Sequence, residues 1–223
     1  MLSGSSPSVS GPSTSASNWF DAEFANQLTH GFGAVLSVIG SVVLIRASLA
    51  SGDVWAVIGC SVYSATLVLL YVMSTLSHSF EREKPRNLFR TMDQVCIFLL
   101  AAGSYTPVGV TIMRFGEWWL LLALIWGLAI AGSLYKLCVT KLENVPVWFY
   151  VLVGWLPILA IWPMAAEVGW TGTCLILSGA LSYMIGTYFL VHDDRAPYFH
   201  ALWHIWVIGG STCHYFLHLL YVA

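Results

Sequence analysis

The chain has 223 residues, of which 58% are hydrophobic and only 9% are charged. Soluble domains contain about 45–50% apolar and about 25% charged residues, and a soluble fold of this length could not bury so much apolar surface. Nine Lys and Arg residues stand against eleven Asp and Glu, so the chain lacks the basic surface of a nucleic-acid-binding protein. The composition therefore predicts an all-α polytopic membrane protein that has membrane lipids, and no nucleic acid, as its partners.

Residues 1–23 are predicted to form a disordered N-terminal tail. The first 18 residues contain eight serines and no charged side chain, and such a segment cannot bury a core. It also lacks the basic region and the continuous apolar run of a secretory signal. Residues 24–223 are predicted to form one membrane domain.

Seven apolar segments of about 20–25 residues follow, each long enough to cross a hydrocarbon core of about 30 Å as a helix. They predict a seven-transmembrane helix bundle with short connections. The segments are 25–49, 54–78, 92–113, 117–138, 146–166, 170–191 and 198–222.

The orientation of the bundle follows from its Lys and Arg residues. With seven spans, the N-terminus shares a side with the loops after the second, fourth and sixth spans. That side holds Arg82, Lys84, Arg86, Arg90, Lys136, Lys141 and Arg195, whereas the opposite side holds Arg46 and Arg114. The positive-inside rule therefore predicts a protein of the cell inner (plasma) membrane, with its N-terminus in the cytoplasm and its C-terminus outside. This orientation is opposite to that of G-protein-coupled receptors.

In this topology, polar side chains from four spans lie in one layer near the cytoplasmic side. Ionisable groups inside a membrane are costly and are candidates for function by default. The polar residues of this layer are Asn26 and His30 in the first span, Ser74 and His78 in the second, Asp93 in the third, and His200 and His204 in the seventh.

Three of these histidines predict a metal site. His200 and His204 share a helix face at i and i+4 and can present two imidazoles to one metal, and His78 supplies a third. Zinc held by three histidines keeps a fourth position open for water, which is the catalytic pattern. Asp93 is a candidate general base for that water, and Ser74 is a candidate hydrogen-bond donor to a substrate oxygen.

Simpler interpretations of the same residues remain open at this point. An HxxxH pair by itself is often structural, and Asp93 is also in a position to cap the third span. His214 and His218 form a second HxxxH pair near the opposite surface, where they are interpreted as ordinary interfacial histidines.

The motifs at these positions resemble those of the hemolysin III family, a bacterial family related to the progestin and adipoQ (adiponectin) receptors and to the alkaline ceramidases. The resemblance extends over roughly residues 24–222. The matching motifs are Asn26-Gln27-Leu28-Thr29-His30-Gly31, Ser74-x-x-x-His78, Asp93, Gly103-Ser104-Tyr105-Thr106-Pro107 and His200-x-x-x-His204.

The resemblance implies a seven-span fold in a proposed superfamily of metal-dependent hydrolases. In the adiponectin-receptor relatives, three histidines hold a zinc ion on the cytoplasmic side, and these correspond to His78, His200 and His204. The aspartate and the serine of the family correspond to Asp93 and Ser74. The long cytoplasmic N-terminal region of the eukaryotic receptors has no counterpart here, which argues against a hormone-receptor role.

Three functions are compatible with this sequence. The first is a zinc-dependent hydrolase of a lipid amide or a related bond, since a site at membrane depth suits a lipid substrate. The second is a non-catalytic receptor or membrane-stress sensor with structural zinc. The third is a pore-forming cytolysin, which is disfavoured because no polar stripe through the full membrane depth is evident in the sequence.

Overall fold

The computed structural model describes residues 14–140 and 143–223, and within these residues the chain is helical with no strand. The all-α prediction is therefore confirmed. A π-helical turn, Lys136–Thr140, continues the fourth helix, and a 3₁₀ turn, Leu156–Ala160, joins the fifth to the sixth. The α-helices are α1 (Thr14–Ser51), α2 (Val54–Ser77), α3 (Glu83–Val110), α4 (Trp119–Tyr135), α5 (Val147–Trp155), α6 (Ile161–Val191) and α7 (Phe199–Tyr221).

The first helix begins earlier than the sequence indicated. Residues 14–23 were assigned to the disordered tail, but they belong to α1; residues 1–13 of that tail lie outside the described residues. The helix is favoured there because Ala22 is buried and because the Glu23 carboxylate has partners on α2 and α3. The composition of the preceding serine-rich segment gives no sign of these tertiary contacts.

The fifth and sixth predicted segments form one helical stretch that bends at a glycine. Gly169 has φ +65° and ψ −167°, a backbone conformation that is open to glycine and costly for other residues. It interrupts α6 immediately before the predicted segment 170–191. The 3₁₀ turn and the first part of α6 complete the predicted segment 146–166.

Four helical stretches among the described residues are long and apolar enough to cross a membrane: Asp21–Ser51, Val54–Ser77, Trp119–Thr140 and Val147–Val191. The last of these contains two predicted segments. α3 and α7 are less apolar, because charged side chains occupy the start of α3 and four histidines lie on α7. The apolar stretches agree with the membrane class, while the count of seven spans and their orientation stay predictions.

The packing order of the helices places the first helix against the last. α2 packs against both α1 and α3, and α7 packs against both α6 and α1. The start of α1, the end of α2 and the start of α7 therefore meet at one end of the bundle. Many outward-facing side chains are apolar; Trp162 and Trp170, for example, are 84% and 82% exposed. Such a surface suits lipid better than water.

Candidate metal centre

Three imidazoles from two helices converge at the end of the bundle where α1, α2 and α7 meet. The ring centroids of His78 and His200 lie 5.1 Å apart, those of His78 and His204 lie 5.3 Å apart, and those of His200 and His204 lie 4.7 Å apart. One ring nitrogen of each histidine lies within 4.8 Å of the others. The fold thus brings together the three histidines that the sequence singled out.

A carboxylate on α1 orients the histidine at the end of α2. The Nδ1 atom of His78 lies 2.6 Å from the Oε2 atom of Glu23. The same carboxylate forms a salt bridge with Arg86, and Arg90 lies 3.8 Å from it. Glu23 therefore connects a candidate metal ligand to the basic start of α3.

The two histidines of α7 are oriented in the same way by other acceptors. The Nδ1 atom of His200 lies 3.1 Å from the Oδ2 atom of Asp193, in the loop before α7. The Nδ1 atom of His204 lies 3.2 Å from the carbonyl oxygen of Asn26 and 3.0 Å from the Oγ1 atom of Thr29. The Thr29 hydroxyl donates its own proton to backbone carbonyls of α1, so it accepts from His204.

These hydrogen bonds fix the tautomer of all three rings. An imidazole whose Nδ1–H donates to an oxygen keeps Nε2 unprotonated and able to bind a metal. Metal-ligating histidines in proteins commonly have such a second hydrogen bond to a carboxylate or a backbone carbonyl. Three neutral imidazoles are a donor set that suits zinc, and the residues present therefore fit this metal.

Asp93 and Ser74 lie beside the three histidines, and Asp93 is outside the group of converging donors. The Asp93 carboxylate is close to the Ser74 hydroxyl and to His200, but it is not among the donors that lie within 4.8 Å of one another in the described residues. α3 begins ten residues before Asp93, at Glu83. The alternative that Asp93 caps a helix is therefore wrong.

A cavity of about 320 Å³ extends from this site into the bundle. Ser74, Asp93 and His200 line one end of it, and apolar side chains of α3, α5, α6 and α7 line most of the remainder. His214 also lines the cavity, about 21 Å from His200 along α7 at 1.5 Å per residue. The shape suits a long apolar chain whose polar end lies beside the histidines.

A fourth imidazole, that of His30 on α1, contacts the site without belonging to the metal group. Its ring stacks on His204 at a centroid distance of 3.5 Å and meets the Tyr71 ring edge-on at 5.1 Å. His30 is 3% exposed, and neither of its ring nitrogens has a hydrogen-bond partner among the described residues.

Two acidic residues of the site were not found from the sequence. Glu23 was assigned to the disordered tail, and Asp193 lies between the predicted segments 170–191 and 198–222. The sequence did contain a signal for both residues. Glu23 shortly precedes Asn26 in the first span, and Asp193 shortly precedes His200 in the seventh. Such a carboxylate often orients a metal-ligating histidine.

The interpretation of the second histidine pair as interfacial was wrong. His218 is fully buried, and its ring lies 4.6 Å from that of Tyr63. His214 faces the cavity. Among the described residues, no third donor converges with these two histidines to form a second metal group.

Comparisons with known proteins agree with the motifs at this site. A model of the haemolysin-III related family matches residues 18–215. "Hemolysin-3" of Bacillus cereus is 39% identical over 90% of this chain and 91% of its own length, and "Hemolysin-3 homolog" of Bacillus subtilis (strain 168) is 33% identical over 89% and 93%. The human "Monocyte to macrophage differentiation factor" is 29% identical over 86% of this chain and 81% of its own. The resemblance drawn from the sequence motifs is confirmed, and the chain belongs to the haemolysin-III related family of membrane proteins.

Proposed function

We propose that this protein is a zinc-dependent hydrolase that cleaves an amide or a related bond in a membrane lipid. The observation that carries the proposal is the set of three imidazoles, each with its Nδ1 atom directed to an oxygen and its Nε2 atom free for a metal. A mainly apolar cavity opens beside them. This combination suits a substrate with one polar, reactive group and a long apolar chain.

The roles of the neighbouring side chains follow from their positions. His78, His200 and His204 would hold the zinc ion, which would supply Lewis acidity to polarise a carbonyl group and to lower the pKa of a water molecule. The Asp93 carboxylate, on the wall of the cavity, takes a proton from the attacking water at one of its oxygens. The buried Ser74 hydroxyl donates a hydrogen bond to the substrate oxygen on which negative charge develops.

The test of this proposal is turnover by purified protein in lipid nanodiscs that contain a ceramide, followed by mass spectrometry. We expect release of the fatty acid and the sphingoid base, loss of turnover after treatment with a chelator, and recovery when zinc is returned. A protein that binds zinc but hydrolyses no ceramide or phospholipid would instead be a receptor or stress sensor in which zinc links α2 to α7. That result would contradict the hydrolase proposal.

We further propose that the chain crosses the inner membrane seven times and has its N-terminus and the histidine centre on the cytoplasmic side. A reporter enzyme fused after Ala223 is expected to be active outside the cytoplasm, because most Lys and Arg residues then lie on the cytoplasmic side. A reporter inserted at Glu81 is expected to be active only inside. The reverse pattern would place the histidine centre on the outer side of the membrane.

A further inference from the structure

A continuous seam of buried polar side chains runs between α1, α2 and α7. On α1, the buried polar residues of one face extend from Asn26 to Ser48, about 33 Å at 1.5 Å per residue, which matches a hydrocarbon core of about 30 Å. On α7, His204, Ser211 and His218 follow each other at intervals of two turns and are all buried.

A polar stripe through the full membrane depth was not evident in the sequence, and the seam is not a stripe on one helix. The seam is assembled from three helices, and none of them carries an unbroken polar face. The buried polar residues that form it are Asn26, His30, Ser37, Ser41 and Ser48 on α1, Tyr63, Ser64, Tyr71 and Ser74 on α2, and His204, Ser211 and His218 on α7.

Direct contacts make the end of the seam next to the metal centre continuous. The His30 ring stacks on His204 and meets the edge of Tyr71. Tyr71 in turn packs so closely on α1 that a Cβ atom at Gly33 would lie 2.7 Å from its ring. The polar side chains of α1, α2 and α7 therefore meet at one level of the bundle.

A second set of contacts continues the seam towards the opposite end. Both hydrogen bonds of this set involve Ser211. The Tyr183 hydroxyl, on α6, lies 3.0 Å from the Ser211 hydroxyl, and the Tyr63 hydroxyl donates to the Ser211 carbonyl over 3.0 Å. The Tyr63 ring then meets His218 edge-on at 4.6 Å. These contacts extend from the middle of α7, at Ser211, to its last turns.

Several buried polar atoms along the seam have no protein partner. His30 is 3% exposed, yet neither of its ring nitrogens has a hydrogen-bond partner among the described residues. Three further buried atoms of the seam also lack a hydrogen-bond partner among the described residues: Asn26 Oδ1, Ser41 Oγ and Ser64 Oγ.

Buried polar atoms without a protein partner indicate that ordered water molecules lie beside them. A buried donor or acceptor without a partner costs about 1–3 kcal/mol, and native proteins satisfy these groups with protein atoms or with ordered water. Lipid chains offer no hydrogen bonds. The hydroxyl and imidazole groups along the seam both donate and accept, and such chains form the proton relays of membrane proteins.

We propose that the seam holds a file of ordered water molecules that carries protons between the histidine centre and the opposite end of the bundle. At each step one O–H or N–H bond breaks as another forms on the next acceptor, and the proton gradient across the membrane supplies the driving force. This activity goes beyond lipid hydrolysis, and Tyr63, Ser211 and His218 of the seam do not line the apolar cavity.

Hydroxyl-radical labelling by short X-ray pulses tests for the water. Tyr63 and Phe98 are both 0% exposed, but Tyr63 lies on the seam and Phe98 lies in an apolar cluster of α3 to α6. With each rate normalised to that of the same residue in the unfolded chain, Tyr63 is expected to be oxidised several-fold faster than Phe98. Equal rates would overturn the proposal.

Proton flux tests the transport. The full chain is reconstituted into phosphatidylcholine vesicles that enclose a pH-sensitive dye, and a potassium diffusion potential drives protons across. We expect flux well above that of protein-free vesicles, a large loss in Ser211→Ala and Tyr63→Phe, and wild-type flux in Thr212→Ala, whose side chain is exposed next to Ser211. All variants are first checked for a wild-type elution profile and melting temperature. Wild-type flux no higher than that of protein-free vesicles, or unchanged flux in both seam variants, would overturn the proposal even if Tyr63 is labelled.

Discussion

Replacement of His78, His200 or His204 by alanine is expected to lower the zinc content of the purified protein from about one ion per chain to nearly none. Three imidazoles and an open position form a complete site for zinc, and two imidazoles do not. The orienting oxygens of Glu23 and Asp193 do not compensate, since they contact the far side of the rings. Elemental analysis of each variant, after passage over a chelating resin, measures the effect.

The matched control is His214→Ala. His214 lies on the same helix as His200 and His204 and also faces the cavity, but it does not belong to a group of converging metal donors in the described part of the chain. This variant is expected to keep its zinc. Loss of zinc in His214→Ala, with retention in His200→Ala, would mean that the other HxxxH pair holds the metal.

The change of Asp93 to asparagine is expected to abolish most turnover and leave zinc in place. The carboxylate lies beside Ser74 and His200 on the cavity wall, where it can accept a proton from water. Loss of a general base typically lowers the rate by about 10²–10⁴-fold. A change next to the metal ligands usually weakens metal affinity by only about 10–100-fold, which high-affinity zinc sites tolerate at micromolar protein concentration. Zinc content and ceramide hydrolysis are measured on the same preparations.

Asp93→Ala separates a general base from a fourth protein ligand. If Asp93 were a direct ligand, this variant would lose zinc as completely as His78→Ala does. If Asp93 were only structural, Asp93→Asn would keep both zinc and turnover. Either result would remove Asp93 from the role proposed for it.

The spacing of the histidines along the chain and the predicted order of the spans were sufficient to predict that His78, His200 and His204 converge. The i, i+4 spacing of His200 and His204 places both rings on one helix face, and alternation of span direction brings them to the level of His78. The first inference needs only helix geometry, the second needs the predicted order of the spans, and the fold brings the three histidines together. The break at Gly169 was likewise expected from the short polar interruption before residue 170.

Tertiary contacts determine the features that the sequence did not predict. Glu23 follows a segment whose composition favours disorder, and the contacts that place it in α1 come from His78, Arg86 and Arg90. The polar seam was not found because its members alternate with apolar residues on each helix. Only the packing of α1 against α2 and α7 places these polar side chains next to one another.

The most direct test of the zinc centre is X-ray absorption at the zinc edge on the wild-type protein in lipid. We expect about one zinc per chain, with three histidine nitrogens at about 2.0–2.1 Å and one further light-atom ligand. The histidine signature should disappear, together with the metal, in His204→Ala. A spectrum dominated by sulfur ligands, or wild-type protein that takes up no zinc, would contradict the assignment of His78, His200 and His204 as a zinc site.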